Sequence, residues 1–201
     1  MNTKLIGIGG KKEAGKDAVA DYLVENHGWV KLGMSDDLAE ALRRLNPVIQ
    51  AEVWVDEDQQ IQGTLVKYQD LLESVGYTKA KENDEVRRLL QVLGTEIGRE
   101  LISPTLWVDL IDPKIHAALV SGKNVIVTGI RFPEERELIE SYTQGQTWYV
   151  VRPEAENASE TDAAKHKSEV SVQHQNFNHI IDNDGDLSKL YTHVEAALSR
   201  M

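Results

Sequence analysis

The sequence predicts an α/β protein whose core is a five-stranded parallel sheet flanked by helices. Five short apolar runs lie at residues 5–8, 29–32, 124–128, 147–151 and 179–181. Each run is apolar on both faces, as expected for strands buried in a parallel sheet. Segments with helical periodicity separate the runs, and this alternation is typical of parallel sheets with right-handed crossovers.

The helices are predicted from apolar positions that recur every three to four residues and from the residues that end each pattern. We predict helices at residues 15–26, 35–45, 64–75, 133–142 and 186–198. Residues 47–63 are acidic and show no periodicity. A helical pattern resumes near Asn83, and the pairs Ser103-Pro104 and Asp112-Pro113 leave open whether the segment up to Val120 is one kinked helix or two.

The composition excludes several classes of protein. The 201 residues carry 22 lysines and arginines against 33 aspartates and glutamates, a net charge of −11, whereas binding to a nucleic-acid polymer needs a basic surface. The chain has no cysteine, which excludes a catalytic thiol, a disulfide scaffold and a cysteine-ligated metal. No run reaches the roughly 20 apolar residues of a membrane span, and the first apolar run is too short for a signal peptide. We therefore expect a cytoplasmic protein that works away from membranes.

The spacing of the strands predicts one domain with an insertion. About 90 residues separate the second strand from the third, far more than one crossover helix requires, and insertions of this size usually carry a binding function. We predict a core formed by residues 1–45 and 104–201 and a helical insertion at about residues 46–103. A polar segment at about residues 153–178 is predicted to be a lid or a surface loop.

A glycine-rich loop lies between the first strand and the first helix, and it fits the phosphate-loop pattern G-x-x-x-x-G-K. Two glycines allow backbone N–H groups to turn around a phosphate, and the helix N-terminus adds positive potential. Lys16 is placed to reach the β- and γ-phosphates. Asp17 replaces the usual Ser or Thr, and its carboxylate is the first candidate ligand for Mg²⁺. The candidate donor-binding residues are Gly10, Lys11, Lys12, Glu13, Ala14, Gly15, Lys16 and Asp17.

Further basic residues are candidates for binding an oxyanion. On a continuous α-helix, one polar face is formed by Arg88, Gln91, Thr95 and Arg99, with Arg87 at its edge. Such a face suits a phosphate monoester, although it could instead be solvated and pair with neighbouring glutamates. Arg131 and Arg152 follow two strands at the end of the sheet where ligands bind, and could place positive charge on a phosphoryl group in transfer. The alternative for each is a surface ion pair.

Several motifs occur together in an order that resembles the bacteriophage-type deoxynucleoside monophosphate kinases. Besides the phosphate loop they are VRRLLQVLGTE at 86–96, LWVD at 106–109, IRFPE at 130–134, VRP at 151–153, HKSE at 166–169 and NDG at 183–185. The resemblance spans nearly the whole chain, and its most specific part is RRLLQVLGT.

The resemblance implies a P-loop nucleoside monophosphate kinase fold and transfer of the γ-phosphoryl group of ATP to a deoxynucleoside monophosphate, with Mg²⁺. It implies that Lys16 and the loop hold the donor, Asp17 lies on the metal side, and Arg131 and Arg152 stabilise the transferred group. It also implies that Asn183 and Gly185 lie near the adenine. On the acceptor side it implies Asp36, Asp37, Arg87, Arg88, Gln91, Thr95 and Arg99. By analogy with related enzymes, a homodimer is expected.

One departure from the family pattern lies in the strand before Arg131. Similar proteins have Asp-x-Arg-Phe-Pro, whereas here Gly129 stands in the place of the Asp. Asp17 and Asp36 are the candidates to replace the missing carboxylate. The alternative functions are a related P-loop kinase acting on phosphomevalonate or dephospho-coenzyme A, a nucleotide-binding regulatory protein with little turnover, and an acidic interaction module.

Overall fold

The computed structural model of the protein describes residues 3–55, 60–156 and 176–201. The chain forms two compact units, one made of Met1–Met34 with Val108–Met201 and the other of Ser35–Trp107. The second unit therefore begins before the insertion expected at residues 46–103. The reason is that Leu42, in the helix before residue 46, is fully buried in the apolar core of this second unit.

The first unit contains the five-stranded parallel sheet, which confirms the predicted fold class. Its strands are β1 (Leu5–Gly9), β2 (Val30–Gly33), β5 (Val125–Ile130), β6 (Gly145–Val151) and β7 (His179–Asp182). Their spatial order is β2-β5-β1-β6-β7, and all four pairings are parallel. Each strand lies within two residues of its predicted position, because buried strands of a parallel sheet are short apolar runs.

Helices cover both faces of this sheet. The helices are α1 (Lys16–His27), α5 (Leu106–Val120), α6 (Pro133–Ser141), the short α7 (Pro153–Glu156) and α8 (Leu187–Leu198). Helices α1 and α8 bury Leu23 and Val194 in one core, and the other core contains Ile115 and Ile139 from α5 and α6. None of the helices in the described ranges combines the length and apolar composition that crossing a membrane requires.

The strand register brings four chain segments to one edge of the sheet. Gly9, at the end of β1, is paired with Ile130 of β5 and with Tyr149 of β6, and Val151 is paired with Asp182 of β7. All these strands run in the same direction, so the segments that follow them leave the sheet at its carboxyl edge. Ligands bind at this edge in open parallel sheets.

The second unit combines helices with a β-hairpin. Its elements are α2 (Asp36–Leu45), β3 (Val48–Val55), β4 (Gln60–Lys67), α3 (Tyr68–Ala80), α4 (Asp84–Gln91) and a π-helix (Val92–Ile102). Strands β3 and β4 are antiparallel, with Ile49 opposite Val66. Ile49, Tyr68 and Val86 are fully buried in the core of this unit.

The hairpin corrects the prediction for residues 47–75, where we expected an unpatterned segment and then a helix from residue 64. Ile49 and Ala51 are buried, but Val48 and Leu65 are exposed apolar residues. The alternation of apolar Ile49 and Ala51 with polar Gln50 and Glu52 is the signal of a strand, and the prediction for this segment overlooked it. The helix begins only at Tyr68.

The segment between Asn83 and Val120 contains two breaks in regular α-helix. From Val92 the helix has the i→i+5 hydrogen bonding of a π-helix, and it ends before Ser103, whose N–H donates to the Gly98 carbonyl (3.0 Å). The predicted break at Asp112-Pro113 is absent, because α5 continues through Pro113. The Asp112 carboxylate accepts a hydrogen bond from the Tyr142 hydroxyl, so it is engaged with another element instead of capping a helix.

Candidate functional site

The glycine-rich loop has the backbone geometry that encircling an anion requires. Gly10 has φ 139° and Gly15 has φ 102°, values that L-amino acids rarely adopt, and Glu13 between them has φ 63°. The Ala14 N–H donates to the Lys11 carbonyl at 3.2 Å and closes the turn. The loop leads directly into α1, whose free N–H groups and dipole add positive potential at the same place.

Lys16 is held against the loop that precedes it. Its Nζ donates to the carbonyl of Gly10 at 2.8 Å and to the carbonyl of Lys11. The ammonium therefore lies beside the loop carbonyls before any ligand is bound. An incoming phosphate can replace a carbonyl as hydrogen-bond acceptor without a large movement of the side chain, since phosphate oxygens bind ammonium groups strongly.

Asp17 lies on the surface in an ion-paired cluster. Its carboxylate is 81% exposed and accepts from Lys31 Nζ at 3.2 Å, and the same ammonium donates to Asp21 at 2.8 Å. Burial tends to lower the pKa of Lys31, but the hydrogen bonds to Asp21 and Asp17 raise it above its usual value. Asp17 is thus an accessible carboxylate with a cation already beside it.

Arg131 follows β5, and its main chain is fixed by a buried carboxylate. Glu135, only 2% exposed, accepts from the N–H of Arg131 (2.7 Å) and from the N–H of Phe132 (3.1 Å) through one oxygen. The carboxylate reaches back from the first turn of α6 to the residues that precede the helix, as in the acidic half of a capping box. The direction in which the chain leaves β5 is therefore set by Glu135.

Two further segments leave the same edge of the sheet. Arg152 follows β6 and is exposed. Asn183 follows β7, and its N–H donates to the Val151 carbonyl at 2.8 Å, which extends the pairing between the two strands. The Asn183 carboxamide donates to the Ala14 carbonyl in the glycine-rich loop at 2.9 Å.

A turn and a helix cap follow β7. The Asp186 carboxylate accepts a hydrogen bond from the N–H of Lys189 (2.9 Å). The Lys189 ammonium forms an ion pair with the Asp184 carboxylate (2.8 Å). Gly185 lies against this lysine, since a Cβ at residue 185 would be 2.9 Å from Lys189 Cδ. The turn that contains Asn183 is thereby attached to the first turn of α8.

Gly129 is explained by the backbone rather than by a lost metal ligand. Ile8 is paired with Thr128 but Gly9 with Ile130, so Gly129 is the extra residue of a bulge in β5. Its φ is 85°, and a Cβ there would meet open space, with Met34 Cβ the nearest atom at 4.0 Å. An aspartate at this position has room but a strained backbone, so the bulge in this chain favours glycine.

In the second unit, the candidate acceptor-binding residues lie on α2, α4 and the π-helix. Asp36 and Asp37 form the first turn of α2. Arg87 makes an exposed ion pair with Asp84 (3.6 Å) one turn earlier on α4, and Arg88 is exposed. Exposed pairs of this kind contribute little to stability, so the guanidinium of Arg87 can exchange its partner for a ligand at low cost.

The π-helix changes the predicted face of Arg88, Gln91, Thr95 and Arg99. That face assumed an α-helix with 3.6 residues per turn, but the i→i+5 pattern from Val92 onward widens the helix and rotates the later residues away. Arg99 donates from Nη1 to the Gly94 carbonyl (3.0 Å), and the Trp107 indole N–H donates to the same oxygen (2.8 Å). The continuous α-helical face is therefore wrong beyond Gln91, and Arg99 binds its own helix.

The structure thus collects the glycine-rich loop, Arg131 and Arg152 at one edge of the sheet, as the sequence predicts, and it places Asn183 at the same edge. Sequence reasoning missed the roles of Lys31 and Glu135 and the contact between Asn183 and Ala14. Only Glu135 has a local signal, its position three residues after the residue that precedes α6. The motif at 166–169 and residues 157–175 of the predicted lid lie outside the described residues.

The sequence matches a known family. A family model described as deoxynucleotide monophosphate kinase matches residues 34–194. The chain is 36% identical over 53 residues to the deoxynucleoside-5'-monophosphate kinase of Escherichia phage T5, an alignment that covers 26% of this chain and 20% of that protein. It is also 23% identical over 211 residues to an Acanthamoeba polyphaga mimivirus protein whose name assigns it deoxynucleotide monophosphate kinase activity provisionally, with 94% of this chain and 93% of that protein covered.

Solved structures of similar shape have low sequence identity. A dephospho-CoA kinase from Campylobacter jejuni has a TM-score of 0.49 at 11% identity and covers 98% of this chain and 97% of its own. A shikimate kinase from Aquifex aeolicus has a TM-score of 0.46 at 11% identity, with 97% and 96% covered.

Proposed function

The chain belongs to the deoxynucleotide monophosphate kinase family, and we propose that it transfers the γ-phosphoryl group of ATP to a deoxynucleoside monophosphate at the carboxyl edge of its parallel sheet. The observation that carries this proposal is the meeting of the glycine-rich loop with Arg131 and Arg152 at that edge. A phosphate-binding loop and two cations at one sheet edge suit the transfer of a phosphoryl group between two anionic substrates.

The donor side is formed by the loop from Gly10 to Asp17. Its backbone N–H groups and the N-terminus of α1 surround the donor phosphates, while Lys16 exchanges the carbonyls of Gly10 and Lys11 for phosphate oxygens. Lys11 and Lys12 raise the potential around the loop. We place Asn183 and Gly185, in the turn after β7, on the adenine side of the same donor.

Arg131 and Arg152 act on the group in transfer. Phosphoryl transfer requires little covalent chemistry from the protein, and catalysis comes mainly from positioning and from positive charge near the equatorial oxygens. The acceptor is itself a phosphate whose oxygens are ionised at neutral pH, so the reaction needs no strong general base. Glu135 contributes by fixing the main chain of Arg131.

The acceptor side belongs to the second unit. Arg87 and Arg88 bind the acceptor phosphate, and Asp36 and Asp37 face the acceptor nucleoside. Gln91 contributes a polar group from the last residue of α4, the α-helical part of that segment. Thr95 and Arg99, which the resemblance also implies, lie on the π-helix beyond α4, and Arg99 has the supporting role of holding the Gly94 carbonyl.

The residues present fit Mg²⁺ as the metal that accompanies ATP. Mg²⁺ prefers oxygen ligands, keeps several waters and is usually held by one or two carboxylates together with substrate phosphates. Asp17 offers such a carboxylate immediately after Lys16, and it is accessible. Asp17 would hold the metal, which when bound would supply positive charge to offset the negative charge of the donor phosphates. Lys31 orients the Asp17 carboxylate through its hydrogen bond.

Replacement of Asp17 tests the metal site. We expect Asp17→Asn to raise the Mg²⁺ concentration that gives half-maximal turnover by about tenfold or more, because a neutral amide is a weaker ligand for Mg²⁺ than a carboxylate. The matched control is Asp21→Asn, since Asp21 pairs with the same Lys31 but lies one helical turn further along α1. An equal Mg²⁺ dependence in both variants would show that Asp17 is not a metal ligand.

The substrate class is tested by an acceptor panel. With ATP and Mg²⁺, we expect ADP to form with at least one deoxynucleoside monophosphate and not with phosphomevalonate or dephospho-coenzyme A. The assay couples ADP release to a spectroscopic readout for each acceptor separately. ADP formation with another phosphomonoester alone would contradict the substrate, and tight ATP binding without ADP formation from any acceptor would indicate a regulatory protein.

The remaining expectations concern partners and location. We propose small phosphorylated ligands as the partners, in place of nucleic-acid polymers, because the chain has a net charge of −11 while seven of its 22 basic residues are assigned to substrate phosphates. These seven are Lys11, Lys12, Lys16, Arg87, Arg88, Arg131 and Arg152. We propose a homodimer by analogy with related enzymes, and from the shortness of the apolar runs a cytoplasmic location, in the host cytoplasm for a phage protein.

A further inference from the structure

The turn after β7 and the phosphate loop are joined by one side-chain hydrogen bond. Asn183 Nδ2 donates to the carbonyl of Ala14 at 2.9 Å, and the two residues are 169 positions apart in the sequence. The Asn183 main chain is itself fixed, since its N–H donates to the Val151 carbonyl at 2.8 Å. The carboxamide therefore extends from a well-supported position at the sheet edge.

The accepting carbonyl belongs to the peptide that joins Ala14 to Gly15. A peptide bond is planar and trans, so its carbonyl and its N–H point in opposite directions. The hydrogen bond that fixes the Ala14 carbonyl toward Asn183 consequently directs the Gly15 N–H away from Asn183. In an anion-binding loop it is the direction of the N–H groups that determines how well the anion is held.

The Asn183 side chain also packs closely against Gly15. A Cβ on residue 15 would lie 2.5 Å from Asn183 Nδ2, closer than such atoms approach in proteins. Gly15 is therefore required by the approach of the carboxamide as well as by its φ of 102°. Lys16 in turn holds the carbonyl of Gly10 at 2.8 Å, so main-chain carbonyls of the loop are held by two different side chains.

We propose that Asn183 is a positioning residue for the phosphate loop, holding the Ala14 carbonyl so that the Gly15 N–H points at the donor phosphates. This inference rests on the proposed function of the loop in binding ATP. It assigns the Asn183 side chain to the phosphates of the donor, whereas the family resemblance implies only that the residue lies near the adenine. Recognition of the adenine is then assigned to other groups of the turn after β7.

The inference separates two roles that differ in their dependence on the base. A side chain that shapes the loop affects every ligand with a polyphosphate, whatever base it carries. A side chain that recognises adenine affects ATP and has no effect on a ligand without a base. Inorganic tripolyphosphate and GTP therefore distinguish the two roles when they are compared with ATP.

The experiment measures binding by calorimetry to the full chain and to two variants. Asn183→Leu keeps a similar volume and removes the donor, and Asn183→Ala removes the side chain. We expect both variants to bind ATP, GTP and inorganic tripolyphosphate about five- to tenfold more weakly, by the same factor for all three, as the loss of one hydrogen bond predicts. We also expect turnover at saturating ATP to fall, because the misdirected Gly15 N–H no longer aligns the donor.

The matched control is His193→Ala. His193 Nδ1 bonds to the carbonyl of Asp182 at 2.7 Å, one residue before Asn183, so its loss disturbs the same segment without touching the loop. We expect this variant to bind all three ligands as the unmodified chain does. Loss of tripolyphosphate binding in His193→Ala equal to that in Asn183→Leu would reduce Asn183 to a general structural role and overturn the inference.

Two other outcomes would also overturn it. Weaker ATP binding with unchanged tripolyphosphate binding would assign the Asn183 side chain to the adenine. Unchanged binding of all three ligands in both variants would show that the hydrogen bond has no effect on the loop. If the unmodified chain bound neither ATP nor tripolyphosphate, the proposed function itself would fail, and that result is distinct from a variant that behaves like the unmodified chain.

Discussion

Replacing Lys16 with methionine is expected to lower turnover by about 10²- to 10³-fold, the loss seen when one preorganised donor to a developing charge is removed. Methionine keeps an unbranched side chain of similar length but has no ammonium to bind phosphate oxygens. Lys16 Nζ is already within 2.8 Å of the Gly10 carbonyl, so the charge is in place before the donor arrives. ADP formation at saturating ATP and acceptor measures the effect.

The fold should survive this substitution, which makes the result interpretable. Lys16 is the first residue of α1, and its ammonium donates to the loop carbonyls of Gly10 and Lys11. Lys4→Met is the matched control, because Lys4 Nζ also donates to a main-chain carbonyl, that of Leu198 at 3.2 Å, from the opposite end of the β1 segment. We expect normal turnover in Lys4→Met. Normal turnover in Lys16→Met would refute the assignment of the loop to the donor.

Local chemistry explains why the loop could be predicted from the sequence. The positive φ angles of Gly10 and Gly15, the start of α1 at Lys16 and the five parallel strands all follow from patterns a few residues long. The same patterns place Arg131 and Arg152 at one edge of the sheet, since parallel strands end together. These residues of the candidate site could therefore be predicted without knowing any contact between distant segments.

Distant contacts account for what the sequence could not predict. The approach of Asn183 to Ala14 joins residues 169 positions apart, and nothing local in either segment indicates it. The π-helix depends on packing, since a Cβ at Gly94 would lie 2.9 Å from Leu38 Cδ2 of α2 and a Cβ at Gly98 would lie 2.8 Å from Trp107 Nε1. These close approaches are tertiary contacts. The sequence around Arg99 alone therefore could not show that its helix is a π-helix.

Glu135→Ala is expected to have the largest effect on stability, lowering the free energy of unfolding by about 2–4 kcal/mol. Two N–H groups, those of Arg131 and Phe132, donate to one buried carboxylate oxygen, and a hydrogen bond to a charged group contributes about 1.5–3 kcal/mol. In a chain of this size, such a loss corresponds to a fall in melting temperature of roughly 5–15 °C. Thermal unfolding followed by circular dichroism measures it.

The same substitution should reduce catalysis in the molecules that remain folded. Without the carboxylate, the main chain of Arg131 loses the hydrogen bond that directs it out of β5. The position of the Arg131 guanidinium is then no longer fixed. Glu135→Gln retains a carbonyl oxygen that can accept from the same N–H groups, so we expect it to recover most of the stability. Glu137→Ala changes an exposed glutamate on the same helix and should alter stability by about 0.5 kcal/mol or less. Melting of Glu135→Ala at the temperature of Glu137→Ala would show that the buried carboxylate does not hold this turn, and the fixed position of Arg131 would then need another explanation.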